Sequence, residues 1–350
     1  MSERRRWIRR TSDILRRASR LAFCLLPLLV SGVGCAIGRP AAEMSLRDGD
    51  KAMAAADFDA ALKAYQKAVK LDPAFPEAYT KLGVAYKEVG DLPEAETTLQ
   101  KAVELDPKSY EPIFQLGEVY RLMDRAKQAI RAYLAAIEID RQQFFAHFRL
   151  AGCYQQLEQY ASAIESYRAS LKIDPRNAYA WSNLGACYDA DGDPYQAIAS
   201  YKRSLECNVQ QPLVLVNLAT VYINQDRYDA GRRTLDAAIR IDPNVSVAHE
   251  RLGYCHWREG AMDEAAREYA MALQLDRRNA AAYAGYGVVR MSQYLDTPAR
   301  VALQREALEA WHRSLEINPD QPKIRELIDR YRGDTGTPPL DLAGSAPPGG

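Results

Sequence analysis

The sequence repeats itself every 34 residues. The same register holds without a gap from Ala42 to Asn279, which makes seven consecutive repeats. Counted from one within each repeat, position 8 is glycine or alanine, at Gly49, Gly83, Gly117, Ala151, Gly185, Ala219 and Gly253. Position 20 is also small, and position 24 is large, at Tyr65, Leu99, Tyr133, Tyr167, Tyr201, Leu235 and Tyr269. Such a period indicates small units that bury their apolar faces only by stacking on one another.

Each repeat has the pattern of two helices. Positions 4, 7, 8 and 11 share one face of a first helix, and positions 20, 24 and 27 share one face of a second. Small residues at positions 8 and 20 allow close approach, and the large residue at position 24 fills the space beside them. The turn between the helices is expected near position 15, at Gly90, Asp124, Gly192, Asp226 and Gly260. Proline at position 32 ends the second helix, at Pro73, Pro107, Pro175 and Pro243.

This pattern closely resembles the tetratricopeptide repeat (TPR). The resemblance covers residues 42–321, and it implies an all-α fold. The family's architecture would be a right-handed superhelical solenoid of about eight helix-turn-helix repeats, with an inner groove lined by the first helix of each pair. A polar capping helix is predicted at residues 322–332, and the Gly- and Pro-rich residues 333–350 are predicted to be disordered.

The eighth repeat departs from the register. Its position-20 residue, Ala307, comes eight residues later than expected. We assign this insertion to about two extra turns of the second helix, with Thr297 as N-cap and Pro298 as the first helical residue.

The N-terminus has the order of an export signal. Residues 1–20 contain eight arginines and two acidic residues, a net charge of +6, and the apolar segment from Leu21 to Gly34 is too short to span a bilayer comfortably. Residues 31–35 resemble a bacterial lipoprotein box, which implies cleavage before Cys35 and acylation of its thiol. We predict a signal peptide at 1–34, a short tether at 35–41, and a periplasm-facing, lipid-anchored protein, in the outer rather than the inner membrane. An uncleaved anchor and a signal cut elsewhere are the alternatives.

Several classes of function are disfavoured by what the chain contains. The 46 basic and 46 acidic residues balance, so loss of a segment with charge +6 leaves a body near −6, which is unsuited to nucleic acid. There is no Gly-rich phosphate loop, HExxH or CxxC motif, and the repeats leave no length for a catalytic domain. We therefore predict no enzyme activity, cofactor, metal or small-molecule substrate.

The histidines and cysteines fit packing roles. His249 and His256 are seven residues apart and would share a helix face, but they occupy core positions 4 and 11 and are predicted to pack rather than bind metal. Four cysteines at positions 10 and 30 are predicted to be core residues with free thiols: Cys153, Cys187, Cys207 and Cys255.

The candidate binding residues lie on the face of the first helix away from the core. Position 6 always carries a hydrogen-bond donor, at Arg47, Lys81, Gln115, Arg149, Asn183, Asn217 and Arg251. The resemblance implies that asparagine here grips a peptide backbone and that lysine or arginine grips a carboxylate. Positions 2 and 5 add an apolar patch suited to a peptide, at Phe114, Phe145, Phe148, Tyr179, Leu213 and Val216. The alternative is that position 5 packs neighbouring repeats together and position 6 is simply solvated.

Together these features predict a non-enzymatic protein–protein interaction scaffold. It would bind a peptide or protein segment in its concave groove and assist assembly of an envelope complex of the pilus, secretin or exporter type, which is a role implied by resemblance to other repeat lipoproteins. The alternative is a cytoplasmic or inner-membrane-anchored adaptor or co-chaperone.

Overall fold

The computed structural model describes residues 38–332. These residues form seventeen helices and no strand, which confirms the all-α prediction. The chain divides into two compact units, Met1–Gln159 and Tyr160–Gly350. The predicted signal peptide, Cys35 and the predicted disordered tail lie outside the described residues.

Within residues 38–159, the first unit contains seven helices. Helix α1 covers residues 38–54 of the described chain. The others are α2 (Phe58–Leu71), α3 (Pro76–Glu88), α4 (Leu92–Leu105), α5 (Tyr110–Leu122), α6 (Ala126–Ile139) and α7 (Phe144–Gln156). Successive helices contact each other, and the first helices α3 and α5 of neighbouring repeats also touch.

The second unit contains ten helices within the described residues. They are α8 (Tyr160–Ile173), α9 (Ala178–Ala190), α10 (Pro194–Cys207), α11 (Pro212–Asn224), α12 (Tyr228–Ile241), α13 (Ser246–Arg258), α14 (Met262–Leu275), α15 (Ala280–Asp296), α16 (Val301–Ile317) and α17 (Pro322–Tyr331). The first helices α9, α11, α13 and α15 begin 34 residues apart, and each contacts the next.

The turn inside each repeat lies where the sequence places it. Gly90, Gly192 and Gly260, at position 15, have φ between +80° and +84°. Asp124 and Asp226 adopt the same left-handed conformation, with φ of 58° and 57°. Aspartate tolerates this region better than most residues with a side chain. Ala56 and Glu158, at the same position, also adopt it with φ of 56° each, so the turn imposes this conformation whichever residue is present.

The small residues at position 8 accommodate the large residue at position 24, as predicted. A Cβ added to Gly117 would lie 2.7 Å from Tyr133 Cε1, and one added to Gly185 would lie 2.9 Å from Tyr201. Both distances are shorter than van der Waals contact, so glycine is needed for the two helices of these two repeats to pack at this spacing.

The eighth repeat differs from the prediction. Its extra residues are spread over both helices: α15 has 17 residues where the preceding first helices have 13, and α16 has 17 where the preceding second helices have 14. Thr297 is the C-cap of α15 and not an N-cap, and α16 begins at Val301 after Arg300. The reason is that Val288, Met291 and Tyr294 continue the buried face of α15, and Pro298 disfavours helical geometry at Thr297.

Two boundaries also follow from the structure. Residues 38–41, predicted to be part of the tether, belong to helix α1, where Arg39 donates to Asp72 at 2.9 Å and stacks 3.7 Å above the Phe75 ring. At the other end, α17 packs on the eighth repeat through a cluster that includes Leu327, Tyr331 and the fully buried Trp311.

Candidate functional site

Two position-6 cations of the first unit are paired with carboxylates of the preceding repeat. Lys81 Nζ on α3 donates to the two carboxylate oxygens of Asp50 at 2.8 and 2.7 Å. Arg149 Nε on α7 lies 3.3 Å from Glu118 Oε1 on α5. Because these side chains already have partners, Lys81 and Arg149 link neighbouring repeats and offer less capacity to an outside ligand.

Glu118 is the centre of the larger of these networks. Arg121 donates to both of its oxygens, at 3.3 and 3.0 Å, and the buried Tyr133 hydroxyl donates to the same carboxylate. Burial by itself raises the pKa of Glu118, but the hydrogen bonds from Arg121 and Tyr133 and the charge of Arg149 outweigh burial, and the pKa lies below its ordinary value. The carboxylate is therefore held ionised inside the first unit.

Gln115, a third predicted groove donor of this unit, is also engaged. Its Oε1 accepts from Lys87 Nζ at 2.8 Å, and its Nε2 donates to Glu111 at 2.9 Å. The bond to Glu111 is exposed, so water can compete with it, whereas the bond from Lys87 is partly buried.

The three phenylalanines of the predicted apolar patch have different environments. Phe114 stacks on Tyr110 with ring centroids 5.5 Å apart and packs against the buried core of α5–α7. Phe148 stacks on Phe144 at the same distance, whereas Phe145 is exposed. Packing therefore accounts for Phe114, and Phe145 is the one that presents most of its ring to solvent.

The second unit presents two parallel rows of side chains across α9, α11 and α13. Position 2 supplies exposed apolar residues, with Tyr179 72%, Leu213 64% and Val247 43% exposed. Position 6 lies one turn further along the same helix face. We call these six residues the two-lane face: an apolar lane of Tyr179, Leu213 and Val247, and a polar lane of Asn183, Asn217 and Arg251.

The two asparagines of the polar lane make no side-chain hydrogen bond to other described residues. Asn217 is exposed and Asn183 is half-buried. Position 9 of the repeat before each one is Gly152 or Ala186, and so it lacks the carboxylate that engages Lys81 and Arg149. An amide side chain provides both donors and an acceptor, so each asparagine has the groups needed to pair with a peptide unit.

Arg251 ends the polar lane beside a buried acid. Its Nε lies 3.4 Å from Glu250 Oε2, outside good hydrogen-bond geometry, and Glu250 Oε1 has no hydrogen-bond partner among the described residues. Burial raises the pKa of the Glu250 carboxyl, and the nearby Arg251 opposes this shift only in part. Arg251 therefore sits in a pair that lacks the hydrogen bonds seen around Glu118.

Family comparisons agree with the geometry of the helix pairs. A family model described as "TPR repeat" matches residues 49–90 and 154–192. Two further models described as "Tetratricopeptide repeat" match residues 216–281 and 178–208. The chain belongs to the tetratricopeptide repeat family. A model described as "Anaphase-promoting complex, cyclosome, subunit 3" also matches residues 88–170 of this TPR protein.

Individual relatives match only in part or only in fold. Human "Tetratricopeptide repeat protein 21B" is 28% identical over 119 residues, which are 33% of this chain and 8% of that protein. A tetratricopeptide repeat protein from Parabacteroides merdae superposes with a TM-score of 0.55 at 18% identity, covering 74% of this chain and 99% of the other. The "APC/C hetero-tetramer Cut9-Hcn1" structure gives 0.53 at 17% identity, covering 78% and 52%. At these identities the two structures support the TPR fold alone.

His249 of this TPR protein occupies the packing position predicted for it, whereas His256 is half-buried. His249 is buried, with Nδ1 2.7 Å from Glu268 Oε2 and Nε2 3.1 Å from the Pro243 carbonyl oxygen. The bond to Glu268 raises the pKa of His249, and burial opposes this in part. No group of three or more His, Cys, Asp or Glu side chains that could hold a metal ion occurs within residues 38–332.

Three of the four cysteines within residues 38–332 match the prediction of free core thiols. Cys153, Cys187 and Cys255 are free and buried, and Cys207 is free and half-buried. Burial raises the pKa of Cys153 to about 11 and of Cys187 and Cys255 to about 12, which makes these thiols poor nucleophiles at neutral pH. None of the helices over residues 38–332 has the length and apolar character needed to cross a bilayer.

Two features of the two-lane face and its surroundings were not identified from the sequence. Val247 occupies position 2, like Tyr179 and Leu213, so extending the comparison by one repeat would have found it. Glu250 stands at position 5, where the apolar patch was expected, and its burial depends on the neighbouring helices. Val216, which was placed in the apolar patch, is buried in the core.

Proposed function

We propose that this TPR protein is a non-enzymatic protein-interaction scaffold that binds an extended peptide segment along the two-lane face. Tetratricopeptide repeat proteins are generally scaffolds of this type, and the proposal places the binding site on α9, α11 and α13. The observation that carries it is the combination of exposed apolar side chains at position 2 with two unpaired asparagine amides at position 6.

The spacing of the lanes favours an extended ligand. Packed helices lie about 8–10 Å apart, and three residues of a polyproline II segment span about 9 Å. Every third residue of such a segment would therefore meet the next helix. Its side chains would contact the apolar lane, and its backbone groups, which make no internal hydrogen bonds in this conformation, would pair with Asn183 and Asn217.

The apolar lane is tested by one charge substitution. Peptides are first selected from a random display library on the immobilised full-length chain, and their affinities are measured by fluorescence anisotropy. Leu213→Asp is expected to weaken binding about tenfold, because the leucine contact is lost and a carboxylate is desolvated against the peptide.

Val209→Asp is the matched control. Val209 is 63% exposed, almost the same as Leu213, but it lies in the loop between α10 and α11 and off the two-lane face. Its substitution should leave affinity unchanged. Equal affinities for the two aspartate variants would rule out the apolar lane as the binding surface.

We further propose that the scaffold is lipid-anchored through Cys35 and acts in a bacterial envelope, where its partner belongs to an assembly such as a pilus, secretin or exporter. Support comes from the order of basic, apolar and small residues before Cys35. Radiolabelled palmitate should enter the protein, and Cys35→Ala should release it from the membrane fraction. An unprocessed N-terminus at Met1, found by mass spectrometry, would favour the cytoplasmic or inner-membrane adaptor instead.

A further inference from the structure

An apolar cavity of about 390 Å³ lies within the second unit between the last repeats and α17. Its aromatic wall is formed by Tyr254 and Trp257 of α13 and Tyr269 of α14. Ile324 and Leu327 of α17 form part of the remaining wall. The volume is near the lower end of the range for ligand pockets, and the lining suits one or two apolar side chains.

On the cavity wall, α15 carries alanine or glycine at three positions where the other first helices carry larger residues. Positions 2, 5 and 6 of the eighth repeat are Ala281, Ala284 and Gly285, and all three line the cavity. Gly285 cannot be enlarged without displacing a neighbour, because an added Cβ would lie 2.3 Å from Tyr269 Cζ. Val288 is the one α15 residue on the wall that is larger than alanine.

We propose that the chain's own C-terminal segment, through Leu340 and Leu342, occupies this cavity. These are the large aliphatic residues among residues 333–350, where the remainder are glycine, proline, alanine and small polar or acidic residues. Each leucine removes apolar surface from water on entering an apolar cavity.

The length of chain after α17 is sufficient for this return. Leu327, on the cavity wall, precedes Arg332 by five residues, which is about 8 Å of helix, and Ile324 precedes it by about 12 Å. Leu340 follows Arg332 by eight residues, which can reach at most about 26–29 Å. Because the segment is covalently attached, its effective concentration at the cavity is of millimolar order, well above that of a separate partner competing for the same space.

The test uses Trp257 as a reporter in the full-length chain. Protein labelled with 5-fluorotryptophan is studied by ¹⁹F NMR, and the Trp257 resonance is assigned from Trp257→Phe. In the Leu340→Ser, Leu342→Ser double variant, the Trp257 resonance is expected to move by more than its line width, while that of Trp181 on α9 stays in place. The Ala343→Ser, Ala346→Ser double variant alters the same segment without removing a large apolar residue and should leave Trp257 unchanged.

Two further measurements distinguish the C-terminal segment from a second copy of the chain as the occupant of the cavity. A synthetic peptide of residues 336–344 added to the double leucine variant should return the Trp257 resonance toward its original position. Serial dilution of the unaltered chain should not move the resonance, because the contact is intramolecular. An identical Trp257 resonance in the unaltered chain and the double leucine variant would overturn the proposal, and a shift on dilution would assign the cavity to a second copy instead.

Discussion

A chain carrying both Asn183→Ala and Asn217→Ala is expected to bind its selected peptides about 100-fold more weakly than the unaltered chain. Each asparagine can donate to and accept from one peptide unit, and hydrogen bonds of this kind contribute about 1 kcal/mol each. Loss of two to four of them corresponds to this change in affinity. Fluorescence anisotropy with one labelled peptide, titrated with each variant, measures it.

Asn244→Ala is the control for this double variant. Asn244 is exposed in the loop between α12 and α13, away from the two-lane face, so its loss should not alter affinity. The double variant should also keep the thermal unfolding midpoint of the unaltered chain, because neither amide makes a side-chain hydrogen bond to other described residues. Full affinity in the double variant would remove the polar lane from the proposed site.

The second large effect is expected on stability. Glu118→Ala should lower the free energy of unfolding by about 2 kcal/mol, because Arg121 and Tyr133 lose a largely buried hydrogen-bond acceptor and Arg149 loses its ion-pair partner. This loss of stability is smaller than that from breaking a fully buried ion pair, since Arg121 and Arg149 are each about one-third exposed and can form hydrogen bonds with water instead. Urea unfolding at neutral pH measures the difference.

Low pH should reproduce, in the unaltered chain, part of the stability loss expected for Glu118→Ala. The folded pKa of Glu118 lies below its ordinary value of 4.5, so the ionised carboxylate contributes stability above pH 4.5, and this contribution is lost as pH falls through the folded pKa. The stability difference between the unaltered chain and Glu118→Ala should therefore narrow under acid. Glu111→Ala, which removes an exposed carboxylate from the same helix, should change stability by less than about 0.5 kcal/mol. Equal stabilities of the two alanine variants at neutral pH would contradict this role for Glu118.

The sequence predicts the helix pairs well because their determinants are local. Glycine at position 8, a large residue at position 24 and proline at position 32 act within one repeat or at its end, and they recur with the period. The helix boundaries of the eighth repeat could not be predicted from the period alone, because an insertion of eight residues does not indicate which of the two helices is longer. The continuing apolar face at Val288, Met291 and Tyr294 decided this.

The candidate site was harder to predict, because whether a position-6 side chain is available to a ligand depends on the residues of the neighbouring repeat. Position 6 looked equivalent in Lys81, Arg149, Asn183 and Asn217, yet the two cations meet acids from position 9 of the repeat before. Opposite charges 31 residues apart, as in Asp50 and Lys81, are the sequence signal for this pairing. Searching for that spacing separates the donors engaged between repeats from those left open to a ligand.

The charge pairs between repeats also restrict how the gene for such a chain can be rearranged. The repeat that carries Asp50 must be followed by one with a cation at position 6, such as Lys81, if both ions are to be neutralised. Exchanging two modules would leave a carboxylate facing an uncharged residue, even though every module kept its own core. The charges thus restrict the order of repeats that have nearly equal shape, and duplication or shuffling is easiest where positions 6 and 9 are uncharged.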